Sequence, residues 1–542
     1  MTKIMSGVLI LFSVIVMSHQ ALAQSCLPDG VTFFTQQSLD DFLVNYPDCT
    51  EIEGNVRITG NITNLEALKN VKKIGGNLSF DYTALLTDLS GLDSLEEVSG
   101  NFLLLSNQKL ENLNGLENLQ RVNGDVMISW NKVLKSLEGL NSLRTIGGYF
   151  WMYFNNKLTS LKGLEAIDTL KSDFVIHGHE VLKDLEGLNS LKHINGSLVI
   201  VKNLALTNLK GLDSLKSIYW NLNVDSSSFV NFEGIESLKT IGGYFSSRVN
   251  YNLNSLEGLE GVETIGGNVT IMSNTNLPSI KSFDNLKSIG GNLLIEDNLF
   301  MRSIEGFGAL EFINGDLMIL HNLALKEFDA FGNLKSLGGY LDISGNLLLK
   351  NCNGLDSLNS VGGEFLVTDN IDMEHLLAFQ SLKSVGGNIH LLNLKKLESL
   401  SGLDSIDYQS INYLFIQSCP KLSQCNVWSI CMHLATSENS IIENNASGCN
   451  SPNEIHEICK VTSVELIESD QVLIYPNPSS GSIYINGIES AILNISDAMG
   501  KNILMQNIFG ATEIDLSSYA NGTYFITLTM KNQVVTKIIV KE

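Results

Sequence analysis

Between Ile74 and about Ser410 a single pattern recurs, close to L-x-S-L-x-G-L-x-S-L-x-x-I-G-G-N-L-x-I-x-x-N-x-x-L. The apolar residue before the glycine pair marks the register. It falls at Ile74, Val98, Val122, Ile146, Leu170, Ile194, Ile218, Ile241, Ile265, Ile289, Ile313, Leu337, Val361 and Val385. Every step is 24 residues except one of 23. A fixed period of this size makes a solenoid, in which each unit buries its apolar face only against its neighbours. Val56-Arg57-Ile58 leads the array and Leu414-Phe415-Ile416 closes it.

The unit from Ile265 to Ser288 shows what one coil contains. Ile265 ends a strand, and Gly266-Gly267 turns the chain because glycine accepts positive φ. Val269 and Ile271 alternate inward on the next strand. Leu277, Ile280, Phe283 and Leu286 then point inward every third residue, a step that suits a flattened coil with extended or 3₁₀ edges. An asparagine recurs at Asn107, Asn131, Asn155, Asn203, Asn250, Asn274, Asn298, Asn322, Asn346 and Asn370. Stacked at a corner, its amide can satisfy backbone groups that the bend leaves unpaired. The expectation is an all-β parallel β-helix or leucine-rich-repeat-like solenoid of about sixteen coils, roughly 75 Å long at about 4.8 Å per coil.

The termini differ in texture. Lys3, the apolar run Ile4–Met17 and Ala21-Leu22-Ala23 read as a signal peptide over 1–23, with the mature chain starting at Gln24. Gln24 also argues against lipid attachment at Cys26, since a small residue belongs there. Export favours disulfides. Cys26 and Cys49 flank a predicted helix, Ser38–Tyr46 with Ser38 as N-cap, in an N-terminal cap over 24–51. The solenoid spans 52–418. Cys419, Cys425, Cys431, Cys449 and Cys459 fall in or beside a C-terminal cap over 419–460, with helices at Val427–Thr436 and Pro452–Lys460. The cap cysteines are odd in number, so one is free or pairs with Cys352 or another chain. Cys352 takes a leucine position and reads as a buried thiol.

The entry Cys49-Thr50-Glu51-Ile52-Glu53-Gly54 and the repeated L-x-x-I-G-G-N-L-x-I-x-x-N-x-x-L resemble the receptor L-domain family over about residues 26–425. The resemblance implies a right-handed β-helix used to bind very different partners. Beyond a linker at 461–471, the segment 472–542 reads as a small antiparallel β-sandwich of short alternating strands. It resembles the C-terminal sorting domain of type IX secretion cargo of the Bacteroidetes. The matching marks are Tyr475-Pro476-Asn477-Pro478, Ile495-Ser496-Asp497-Ala498-Met499-Gly500, Ile514-Asp515-Leu516-Ser517, Gly522-Thr523-Tyr524-Phe525-Ile526 and Lys537-Ile538-Ile539-Val540-Lys541. That likeness implies passage through the periplasm, engagement of the type IX machinery at the outer membrane, then release or attachment to surface lipopolysaccharide.

Chemistry is sparse. The net charge of −23 over 542 residues argues against nucleic acid. No nucleophile elbow, zinc helix or phosphate loop is present. No cofactor or metal is expected, and His177 with His179 reads as a pair of surface histidines lacking a third ligand. Glu138, Glu186, Asp213 and Glu257 repeat near the Gly-Leu turn. A β-helix lyase or hydrolase would need clustered catalytic groups beside long insertions, for which a constant period leaves no room. One feature breaks the pattern. Outward positions of the long strands are apolar at Leu103, Leu105, Met127, Trp151, Tyr153, Val175, Val199 and Val201, with Trp130 and Phe154 at the adjoining edge. The stripe breaks at Asn223, Asp225, Ser246 and Arg248. Either the chain itself covers this face, or β propensity alone selects such residues, or Trp130, Trp151, Tyr153, Phe154 and His177 form a site for an extracellular protein or glycan. The sequence therefore favours an exported, non-enzymatic recognition or adhesion protein, with a structural surface-layer component as the alternative.

Overall fold

The computed structural model describes residues 24–462, 472–488, 490–498, 500–530 and 533–542. The expected signal peptide 1–23, linker residues 463–471 and Met499 of the sorting motif lie outside the described residues. The chain divides into two units, one ending at Asn370 and one starting at Ile371.

In the first unit, long strands from Val31–Phe33 to Phe365–Thr368 pair in parallel, each with its counterpart one coil on. Register is strict, as in Val126↔Phe150↔Phe174 and Met127↔Trp151↔Val175. One side chain per coil therefore lands on the same column in every coil. Short strands such as Glu97–Val98, Arg121–Val122 and Thr145–Ile146 form a second ladder. Both ladders begin inside the expected N-terminal cap, at Ser25–Cys26 and Val31–Phe33, so coil formation starts before residue 52. The short ladder is interrupted between Thr145–Ile146 and Thr169–Leu170. There Lys171-Ser172 replaces the glycine pair. Tyr219-Trp220 replaces it too, yet the ladder continues past Ser217–Ile218, so missing glycines alone do not explain the interruption.

The interior is a stack of identical choices. Leu277, Ile280, Phe283 and Leu286 are fully buried, as are Val269 and Ile271. Each buried side chain of this size contributes about 2 kcal/mol. The glycines divide the work differently from the sequence expectation. Positive φ belongs to the Gly-Leu glycines, 104° at Gly115 and 111° at Gly139. The paired glycines are there for closeness. A Cβ at Gly266 would sit 2.1 Å from the Gly242 carbonyl oxygen of the preceding coil. The Gly-Leu turn also uses the acidic residues, since Gly211 N–H donates to Asp213 and Gly163 N–H to Glu165.

The asparagine corner works in one direction. Asn107 N–H donates to Asn131 Oδ1 at 3.0 Å, and Asn131 Nδ2 donates to the Leu104 carbonyl at 3.0 Å. Each asparagine so completes the coil before it. A second ladder, at the position after the glycine pair, was not read from the sequence: Asn101 N–H donates to Asn77 Oδ1 and Asp125 N–H to Asn101 Oδ1. At the N-terminus the helix is Gln36–Asn45 with Thr35 as N-cap. Ser38 is not the cap but the third helical residue, and it closes a capping box with Thr35. Cys26 and Cys49 are bridged, and Cys352 is a buried free thiol.

In the second unit, Ile389–Leu392, Leu414–Gln417 and Ser440–Glu443 are parallel strands in register. Helix Trp428–Thr436 lies between the last two of these strands, and helix Pro452–Thr462 follows them. The bridges are Cys425–Cys449 and Cys431–Cys459. Cys419, counted among the disulfide candidates, is instead a buried free thiol. It stands in the corner column, where Asn445 accepts its N–H and donates to the Ile416 carbonyl. The tail has a three-stranded and a four-stranded antiparallel sheet around one core that includes Ile483, Ile485, Leu493, Ile526 and Leu528. This is the expected sandwich. No described helix is long and apolar enough to cross a membrane.

Candidate functional site

The long strands of the first unit alternate strictly. In Phe150–Tyr153, Phe150 and Met152 are buried while Trp151 and Tyr153 face outward and are half-buried. Phe174–His177 repeats this, with Val175 and His177 outward. Parallel register therefore sets Trp151 beside Val175 and Tyr153 beside His177. After each strand the chain turns through one residue with positive φ, which for Trp130 is 61° and for Phe154 is 52°. Asparagine or glycine would adopt this conformation with least strain, and an aromatic residue there costs about 1 kcal/mol. Sequence inspection found the residues but not the strained backbone that carries them.

These side chains converge. The Trp130 and Phe154 rings stack at 4.3 Å between centroids, and Phe154 lies 5.1 Å from His177. The Tyr153 and His177 rings are 5.8 Å apart. Gly178 makes room for Phe154, because a Cβ there would be 2.5 Å from that ring. Trp130 is 50% exposed. The face is thus not covered by the described chain, which leaves β propensity and a binding site as its two readings. Burial raises the Tyr153 pKa, and burial followed by the Lys202 charge lowers that of His177.

His179 is not a surface residue, contrary to the sequence expectation. It is fully buried, in the corner column where neighbouring coils place asparagine. Its N–H donates to Asn203 Oδ1 and its Nδ1 lies 3.3 Å from the Asn155 carbonyl, while Nε2 has no partner. Burial lowers its pKa to about 4. Facing inward, it cannot join His177 in a ligand set, and no cluster of three metal-ligating side chains occurs among the described residues.

Sequence reasoning missed the opposite edge of the face. Tyr149, Tyr219, Trp220 and Tyr244 are 40%, 64%, 55% and 39% exposed. Tyr149 stacks on Trp151 at 4.8 Å, and Tyr219 meets Trp220 edge-on at 5.4 Å. The signal was present, since these aromatics occupy turn positions that other coils give to glycine or asparagine.

In the tail the sorting-motif residues are brought together by the last strand. Asn477 Nδ2 donates to the Ile538 carbonyl, and Val540 N–H donates to Asn477 Oδ1. Tyr475 stacks near Tyr484, and Tyr524 donates its hydroxyl to the Ala520 carbonyl. Pro476 and Pro478 follow cis peptide bonds. Gly522 and Lys537 lie on the paired strands Gly522–Met530 and Gln533–Lys541.

Residues 48–114 match the family model of the receptor L domain, and residues 473–542 match that of the secretion system C-terminal sorting domain. The chain is thus a parallel β-solenoid whose first coils are similar to the receptor L domain and whose tail is similar to the sorting domain. No curated protein matches it significantly. The sorting tail marks an exported protein, secreted or displayed at the cell surface, and implies that the tail engages the type IX machinery. The L-domain match covers the first coils, and the aromatic face lies on the coils that follow.

Proposed function

We propose that this protein is a non-enzymatic recognition or adhesion module. It binds an extracellular protein or glycan through the long-strand face around Trp130, Trp151, Tyr153, Phe154 and His177. It reaches the outer surface through the periplasm and is there released or held on lipopolysaccharide. The observation that carries the reading is the aromatic cluster itself. Five rings on three successive coils are held in register on an open face, and two of them sit at strained corners. Rigid, half-buried aromatics supply most of the energy at such interfaces. The repeated carboxylates support a non-enzymatic role, since many already accept turn N–H groups.

The test is a binding screen of the full chain against glycan and extracellular-protein arrays, with Trp151→Ala/Tyr153→Ala beside it. The expected result is a specific ligand whose affinity falls at least about 100-fold in the double variant, while circular dichroism and melting stay within a few degrees. A ligand bound equally by both proteins would move the site elsewhere.

A further inference from the structure

The tail has two sheets, each with two edge strands, and the edges are not alike. Leu473–Tyr475 and Thr512–Asp515 bound the three-stranded sheet and have only 3 and 4 residues. Gln533–Lys541 bounds the four-stranded sheet on one side. The chain covers the end of that strand. Asn477 brackets it through the Ile538 carbonyl and the Val540 N–H, and Ser479 N–H donates to the Val540 carbonyl. Lys537 places a charged residue in its middle. Short strands, lysines and covering segments are the ordinary means by which an edge is kept from pairing.

Asn502–Phe509, at the other side of the four-stranded sheet, is guarded only at its ends. It pairs on one side, antiparallel to Ser490–Asp497. Its 8 residues include no charge and no proline. A register shift and the Tyr519 hydroxyl, which donates to the Ile503 carbonyl at 3.3 Å, close its start. Thr512 Oγ1 reaches the Phe509 carbonyl at 3.4 Å. Residues 504–508 between them remain an open edge, with Met505 65% exposed. Beside it lies a cleft of about 500 Å³ lined by Ile492, Asn507, Ile508, Phe509, Thr529 and Met530. Asn507, Ile492 and Thr529 form one row across the sheet. A strand added next to Asn507 would extend that row and set a side chain beside the cleft.

An open, uncharged edge with a largely apolar cleft beside it suits strand addition, in which backbone hydrogen bonds hold an incoming strand and the cleft selects its side chains. The occupant follows from where the edge sits. Residues 473–542 match the sorting domain, so the partner this fold has to meet is the type IX machinery. We propose that a component of that machinery adds an extended strand to Asn502–Phe509 and seats an apolar side chain in the cleft. The aromatic face of the solenoid plays no part in this contact, so the two readings stand or fall separately.

Secretion of the full chain from type IX-competent cells tests it. Met505→Lys/Asn507→Lys, at exposed positions, should lower secretion at least about tenfold and hold the chain in the periplasm. Val534→Lys/Thr536→Lys, on the opposite edge strand, should leave secretion within about twofold of the parent. Proline isolates the backbone. The N–H groups of an edge strand alternate between its neighbour and the open side, so one of Gln506→Pro and Asn507→Pro removes only an outward donor. The proline variant whose tail still resists protease in the purified full chain should also fail to be secreted. Normal secretion of that variant overturns the proposal, as does normal secretion of Met505→Lys/Asn507→Lys or an equal loss in both lysine pairs. If neither proline variant keeps a resistant tail, the lysine pairs decide. Dimerisation of the purified parent that Met505→Lys/Asn507→Lys abolishes while secretion stays intact makes the edge a contact between copies, and that too overturns the proposal.

Discussion

Two coils of the first unit share one backbone path and use it differently. The coil after Ile265 has Gly266-Gly267, Asn268 at the turn and Asn274 at the corner. The coil after Leu170 has Lys171-Ser172, Asp173 and His179 at those places. In the first, every one of these positions serves the stack. Asn274 accepts the Asn250 N–H and donates to the Ser247 carbonyl. In the second, the short ladder is interrupted on one side, a ring nitrogen of His179 is left unpartnered, and His177 faces the aromatic cluster. Regularity and surface chemistry thus compete for the same residues. The coil that departs from consensus at Lys171-Ser172 and His179 lies next to the one that carries Tyr149, Trp151, Tyr153 and Phe154.

The largest test of this contrast is Gly266→Val. Its Cβ would collide with the backbone of the preceding coil, so a loss above about 4 kcal/mol, or failure to fold, is expected by chemical denaturation. Lys171→Gly, at the equivalent place, should change stability by less than about 1 kcal/mol. If the two behaved alike, the coils would not differ as described. Next, Asn274→Ala leaves a buried N–H and a buried carbonyl without partners, and should cost about 3 kcal/mol. The smallest effect, and the sharpest, is His179→Asn. The folded pKa of His179, about 4, lies below the ordinary histidine value of 6.5. Its neutral form is therefore favoured by folding, and the penalty is absent above pH 6.5, grows as pH falls towards 4 and is constant below that. Asparagine removes the titration, so the variant should gain about 2 kcal/mol over the parent at pH 5. A gain that does not vary with pH would show that the imidazole charge is not what destabilises that coil.

Most of the fold was legible because the repeat states its own register. Once the step of 24 was seen, Leu277, Ile280, Phe283 and Leu286 could only point inward. The corner asparagines could be assigned too, because identical residues on adjacent coils meet. What could not be read was anything decided by backbone detail between coils. The glycine pair looks like a turn signal, and only the 2.1 Å approach to the neighbouring carbonyl shows that it serves closeness. His179 looks exposed because histidine usually is, yet its register position placed it in the asparagine column. Cys419 shares that column and is a buried free thiol. The candidate site was half visible. Outward aromatics on strands follow from alternation, whereas Tyr149, Tyr219, Trp220 and Tyr244 sit in turns, where no periodicity assigns a direction.

The one-way corner has a consequence for how such a chain comes into being. Because each asparagine seals the coil before it, a coil is unfinished until its successor arrives. A chain delivered N-terminus first would therefore always carry one open step at its growing end, moving forward by one coil at a time. Wherever synthesis or proteolysis stopped within the repeats, the last coil would keep an unsatisfied corner. Within the second unit Asn445 reaches back to Cys419 and Ile416 from the disulfide-bonded segment and seals that corner in the same way.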